Sequence, residues 1–158
     1  MQIKGLIDED FVNYKKVSMF ISTSKCSFKC DKECGRAVCQ NSSLAHADII
    51  DINDEALVKR FLDNPISNAV VIGGLEPFDT FNELYQFIYK LRKYTDDDVV
   101  IYTGYYEKEI QEYIDKLRKE FANIIVKFGR FIPDQDSHYD KVLGIKLASD
   151  NQYGKQIC

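Results

Sequence analysis

Residues 68–104 read NAVVIGGLEPFDTFNELYQFIYKLRKYTDDDVVIYTG, and this stretch decides the fold class. Two short apolar runs, 68–72 and 98–102, are rich in Val and Ile and are bounded by turn residues, as buried strands are. Between them, Thr80 and Glu83 stand at capping-box spacing, and Phe81, Leu84, Tyr85, Ile88 and Leu91 keep one face apolar to about Tyr94. The unit is therefore strand, glycine turn, helix, strand. The same alternation extends both ways. Towards the start, residues 16–22 (KVSMFIS) read as a strand. Residues 54–63 read as a helix, with Asn53 as its cap, Leu57, Val58, Phe61 and Leu62 on one face, and Pro65 near its end. Towards the end, Ile110, Tyr113, Ile114 and Leu117 mark a helix, and residues 124–128 (IIVKF) a strand. The remainder is loop-rich, with a short strand expected near Leu143–Leu147.

Strands alternating with helices of this length predict an α/β fold with a mostly parallel sheet. No repeat, low-complexity tract or linker divides the chain, so residues 1–158 are expected to form a single domain. Parallel sheets bind ligands at the carboxyl ends of their strands. Here those ends carry a cysteine-rich loop, Gly73–Gly74, Thr103–Gly104 and Gly129, so the unusual residues should share one face.

Composition narrows the function classes. The chain is 45% hydrophobic and 29% charged, ordinary values for a globular domain. Its 21 basic and 25 acidic side chains give a net charge of −4, with no basic stripe to bind nucleic acid. No apolar run is long enough for a membrane span. The opening MQIKGLIDED is too acidic and broken for a signal peptide, so the expectation is a cytoplasmic protein.

Four of the five cysteines lie in the stretch CSFKCDKECGRAVC, residues 26–39. In a reducing compartment such clustering reads as metal or iron–sulfur ligation rather than disulfides. Three thiolates on a loop can hold three corners of a 4Fe-4S cube and leave the fourth iron open, whereas closed electron-transfer clusters use four. Counting alone leaves both choices. A structural zinc site competes, but its usual signature has two well-separated ligand pairs, and His46 and His138 are lone histidines. The remaining strand-end stretches are weaker signals. In Gly73-Gly74-Leu75-Glu76-Pro77 the glycines allow close backbone approach, and Glu76 could accept a ligand ammonium, although such a segment is by itself an ordinary turn. Tyr102-Thr103-Gly104-Tyr105, Gly129-Arg130-Phe131 and Ser149-Asp150-Asn151-Gln152 would draw no attention singly.

Together, in this order, these stretches resemble the radical S-adenosylmethionine superfamily, and within it the activating proteins of anaerobic ribonucleotide reductase, which belong with the glycyl radical enzyme activases. The likeness runs from about Phe20 to Gln152. Cys39-Gln40-Asn41-Ser42-Ser43-Leu44 resembles the stretch beginning at the family's third cluster cysteine. Gly73-Gly74-Leu75-Glu76-Pro77 resembles its GGEP motif with Leu75 inserted, and Tyr102–Tyr105 its YTGY. The family separates its cysteines by three residues and then two. Here Cys26 and Cys30 keep the first spacing, while eight residues separate Cys30 from Cys39 and only three separate it from Cys34. The sequence after Cys39 matches the family and that after Cys34 does not, so Cys39 is preferred and the loop carries a six-residue insertion.

The resemblance implies a partial (β/α) barrel of radical S-adenosylmethionine type, because a full barrel needs about 250 residues. It implies a 4Fe-4S cluster on Cys26, Cys30 and Cys39 and S-adenosylmethionine as cosubstrate. Gly73, Gly74 and Glu76 would receive the methionyl ammonium, Thr103 and Gly104 would lie near the ribose or methionine, and Asn151 and Gln152 would close the site. Phe28 would shield the cluster, pack on adenine or anchor the loop. The implied partners are a flavodoxin- or ferredoxin-type electron donor and a glycyl radical enzyme such as anaerobic ribonucleotide reductase. A small molecule or peptide as substrate, or a non-catalytic iron–sulfur or zinc module, is the alternative.

Overall fold

The computed structural model describes residues 1–158. Nine strands and four α-helices follow one another as β1 (Gln2–Asp10), β2 (Ser18–Thr23), α1 (Lys29–Cys34), β3 (Ile50–Asp51), α2 (Asp54–Leu62), β4 (Ala69–Gly73), α3 (Phe81–Leu91), β5 (Asp98–Tyr102), α4 (Gln111–Glu120), β6 (Ile124–Phe128), β7 (His138–Asp140), β8 (Ile145–Leu147) and β9 (Tyr153–Gln156). Seven strands form one sheet in the order β3-β1-β2-β4-β5-β6-β9. Its centre, β2-β4-β5-β6, is parallel, and antiparallel strands flank it on both sides. The sheet is open, with β3 and β9 as its edges, and β7 and β8 form a separate hairpin. The expected α/β class with a mostly parallel sheet is thus present, without a closed barrel. No helix is long and apolar enough to cross a membrane.

The two faces of the sheet are covered differently. Alternate strand residues, among them Val70, Ile72, Val99, Ile101, Val126 and Phe128, pack against Leu57 and Phe61 of α2, Leu84, Phe87 and Leu91 of α3, and Ile114 and Leu117 of α4. The other set, Ala69, Val71, Val100 and Ile125, meets no helix. It packs against Tyr14 of the β1–β2 connection and against Leu143 and Leu147 of the hairpin segment. These loops cover only part of that face, and a cavity lies towards its carboxyl edge.

Several expectations of local structure are corrected. Asn53 does cap α2, accepting hydrogen bonds from Glu55 N and Ala56 N at 2.7 and 3.3 Å. The capping box of Thr80 and Glu83 does not form. A 3-10 turn, Pro77–Thr80, precedes α3 and is capped by Glu76, whose Oε1 accepts from Phe78 N at 3.1 Å. The Thr80 hydroxyl donates to Pro77 O, and Glu83 reaches instead to Gln2 N. The cysteine loop is not wholly irregular, since α1 lies within it. β1 and β9 were not expected; each is a flanking antiparallel strand with a mixed burial pattern, which gives it neither clean alternation nor an apolar run.

Phe87 is fully buried between α3 and the sheet. Phe87→Ala should therefore destabilise the fold by about 3–5 kcal/mol. The check is a shift of the urea unfolding midpoint with an unchanged slope.

Candidate functional site

A cavity of about 440 Å³ opens at the carboxyl ends of β4, β5 and β6, on the side that α2, α3 and α4 leave uncovered. That volume is in the range of a small-molecule site. Cys26, Cys30 and Cys39 line it, together with Gly74, Leu75 and Glu76 after β4, Thr103 and Gly104 after β5, and Gly129 and Phe131 after β6. Ile145, Leu147 and Gln152 close one side. Cys34 and Cys158 are not among the lining residues. Cys158 instead packs beside the helix-side core. Gly73 and Asn151 are likewise not among the lining residues.

Glu76 is the organising group. Its backbone N–H donates to Lys25 O at 2.9 Å, which fixes the entry to the cysteine loop. Its carboxylate accepts from the Thr103 hydroxyl at 2.8 Å, from Gly104 N at 2.9 Å and from Phe78 N. Burial pushes this carboxyl up to about 7, against the opposing pull of those three donors. Nearby, Asp79 accepts from Ser27 N and from the Tyr105 hydroxyl, both at 2.5 Å, and so holds the turn between Cys26 and Cys30. Phe28 takes a left-handed conformation there (φ 52°) and its N–H donates to Cys26 Sγ at 3.3 Å.

The glycines are fitted to close approaches. Gly74 has φ 77°, and a Cβ on it would lie 2.8 Å from Leu44 Cδ2 and 3.0 Å from Ser22 Cβ. Leu44, five residues after Cys39, thus seats the far end of the cysteine loop on the end of β4. Gly104 has a different use. A Cβ there would occupy the gap between Cys30 Sγ (3.5 Å) and Glu76 Oε2 (3.6 Å), so the missing side chain is part of the cavity.

Sequence reasoning missed Lys127. It lies on β6 opposite Tyr102 of β5, and only 8% of its surface is exposed. Its Nζ donates to Gly129 O at 2.8 Å, and burial pulls its ammonium down to about 8 despite the nearby acidic groups. The signal was available: in IIVKF, period-two alternation puts Lys127 on the face away from Val126 and Phe128, and a lysine in a buried strand needs a partner. Arg130, named in the sequence only within Gly129-Arg130-Phe131 and given no role there, is 1% exposed and links the cysteine-bearing helix to the end of β6. It makes a bidentate pair with Glu109 at 2.6 and 2.7 Å, and its Nε is 3.1 Å from Glu33 of α1. Glu109 also accepts from Lys29 of α1 at 3.2 Å. Asn151 and Gln152 bind this segment rather than empty space. Asn151 Nδ2 donates to Arg130 O at 2.9 Å, and Gln152 Nε2 to Gly129 O at 3.3 Å.

The donor set suits a multi-iron cluster better than a single ion. The three thiols line one cavity, and no three His, Cys, Asp or Glu side chains lie close enough to hold one metal ion. A zinc ion would require ligands within about 2.3 Å of one centre. Burial pushes the Cys26 thiol up to about 12 and the Cys30 thiol up as well, a penalty that cationic iron would offset. A family model described as a 4Fe-4S single cluster domain matches residues 14–152. The chain belongs to that family, and a 4Fe-4S cluster is its cofactor. No curated protein and no solved structure matches the chain.

The Arg130 guanidinium holds the Glu109 carboxyl down to about 2, outweighing burial. A depressed folded value means stability that is full above the unfolded value of about 4.5 and is lost as pH falls towards 2. The difference in urea midpoint between wild type and Glu109→Gln should be largest at neutral pH and shrink steadily below about pH 4.5. A difference that stays constant over that range would contradict the ion pair.

Proposed function

We propose that this member of the 4Fe-4S single cluster domain family holds its cluster through Cys26, Cys30 and Cys39 and uses it to cleave S-adenosylmethionine reductively, in order to generate a glycyl radical on a partner enzyme. The observation that carries the reading is the convergence of those three thiols with the ends of β4, β5 and β6 on one cavity, from which Cys34 is absent. A partial barrel of radical S-adenosylmethionine type belongs to the same reading, and the open sheet with a parallel centre is compatible with it.

When bound and reduced, a 4Fe-4S cluster with one iron free of protein ligands supplies the electron that splits S-adenosylmethionine into methionine and a 5′-deoxyadenosyl radical. The rest falls to the protein. Glu76, fixed by Thr103, Gly104 and Phe78, keeps acceptor capacity for a methionyl ammonium. Lys127 faces the cavity with a backbone carbonyl as its hydrogen-bond partner, and it is the matching cation for a methionyl carboxylate. Gly74 and Gly104 let the ligand approach the backbone. Phe131, Ile145 and Leu147 supply apolar wall that excludes water from a reactive radical. Gln152 and Asn151 hold the carboxyl-terminal segment against the end of β6. A glycine of the partner, held at the mouth, would be the hydrogen-atom donor in this reading, leaving 5′-deoxyadenosine and a glycyl radical.

A protein substrate is favoured by the mouth of the cavity. Val12, one of its lining residues, is 71% exposed, and its neighbour Phe11 is 67% exposed, so an apolar pair stands beside the opening. Anaerobic ribonucleotide reductase is the proposed partner, with a flavodoxin- or ferredoxin-type donor reducing the cluster.

Three measurements test this. After anaerobic reconstitution, dithionite and S-adenosylmethionine should yield 5′-deoxyadenosine, and adding the reductase should give a glycyl radical signal by electron paramagnetic resonance. Cys26→Ala, Cys30→Ala and Cys39→Ala should each lose the product, whereas Cys34→Ala keeps it; the reverse result for Cys34 and Cys39 would overturn the ligand set. Lys127→Met should retain iron but weaken S-adenosylmethionine binding at least about 10-fold, the loss expected for a hydrogen bond to a charged group.

A further inference from the structure

The cysteine loop poses a mechanical problem. Eight residues separate Cys30 from Cys39, yet both thiols line the same cavity. The intervening chain leaves along α1, turns at Gly35 in the left-handed region (φ 65°) with nothing within 4 Å of a would-be Cβ, and passes through exposed Arg36 and Ala37. Nothing in that excursion packs in the core. Its return is fixed by one carboxylate. Asp31 Oδ1 accepts from Val38 N and from Cys39 N, each at 2.8 Å. Beyond Cys39, residues 40–43 are exposed, and the next anchor is Leu44 on Gly74.

We infer that Asp31 is the positioning residue for the third cluster thiolate: it closes the inserted loop and delivers Cys39 to the cavity. The inference rests on the proposed ligand set. Asp31 sits directly after Cys30, so it carries the position of one thiol-bearing residue to another. A carboxylate oxygen suits the task because it accepts two backbone N–H groups at once, and charge-assisted bonds of this kind are the stronger ones. A single closure over seven or eight residues also removes most of the freedom that a loop of this length would otherwise retain. Glu33 and Arg36 tie the same excursion outward, to Arg130 at 3.1 Å and Asp134 at 3.4 Å, but both partners lie beyond the thiol positions and neither touches the Cys39 backbone.

The test compares Cys39 with its neighbours in the full chain. In the cluster-free wild type, amide hydrogens of Val38 and Cys39 should exchange at least about 10-fold more slowly than those of Arg36 and Ala37, and equal rates would overturn the inference. In Asp31→Ala, pulse alkylation read by peptide mass spectrometry should modify Cys39 about 10-fold faster relative to Cys26 and Cys30 than in wild type, and the reconstituted cluster should lose iron to a chelator correspondingly faster. Asp31→Asn retains an acceptor oxygen and should restore most of both, which a general loss of stability would not. An unchanged alkylation ratio together with unchanged iron loss in Asp31→Ala would refute the role. If instead Cys39→Ala keeps its full complement of iron, the ligand set fails, while exchange and alkylation still judge Asp31 independently.

Discussion

One buried carboxylate joins the parts of the chain on which the site depends. Glu76 binds the end of β5 through Thr103 and Gly104, begins the turn into α3 through Phe78, and ties the start of the cysteine loop through its own N–H. The Thr103, Gly104 and Phe78 donors would lose this partner if the side chain were removed, and unpaired donors in a buried setting are expensive. The same burial that makes the network costly for a charged carboxyl makes it rigid. A ligand ammonium would meet a group already oriented, with its ordering accomplished by the fold.

The asymmetric cover of the sheet explains where the cavity is. Helices α2, α3 and α4 fill one face with aliphatic and aromatic side chains. The other face has only the β1–β2 connection and the β7–β8 segment, and these meet the strands around Val71, Val100 and Ile125. Beyond them the strands continue to Tyr102 and Lys127, whose side chains face the uncovered space. Pleating therefore assigns a lysine to the cavity and its strand neighbours, Val126 and Phe128, to the core.

The cysteine-bearing helix is also tied from outside. Arg130, nearly inaccessible to solvent, meets Glu33 of α1 and Glu109, and Glu109 meets Lys29 of α1. The Tyr106 ring lies 4.7 Å from the guanidinium carbon, which adds cation–π attraction. Through these contacts the end of β6 and the turn before α4 act as a brace for the loop that carries the thiols. The residues between Cys30 and Cys39 project from the braced helix without entering the core.

The parallel centre of the fold and most of the site were legible in the sequence. Apolar runs at strand length, an amphipathic helix between them and glycines at the strand ends are local signals, and local sterics and burial determine them. The clustered cysteines announced iron–sulfur chemistry because thiolates so close in sequence must also be close in space. What only the tertiary structure decided was pairing between distant segments. β1 gains its strand conformation from β2 and β3, and β9 from β6 across the β7–β8 hairpin, so their own patterns were weak. The Thr80 capping box gave way to a turn capped by Glu76, because the nearby Glu83 carboxylate finds Gln2. Which of Cys34 and Cys39 faces the cavity could not follow from spacing, since both are within reach of Cys30. Asp31 folding the loop back and Leu44 seating on Gly74 made that choice, and hydrogen bonds and packing of that kind exist only once the chain has closed on itself.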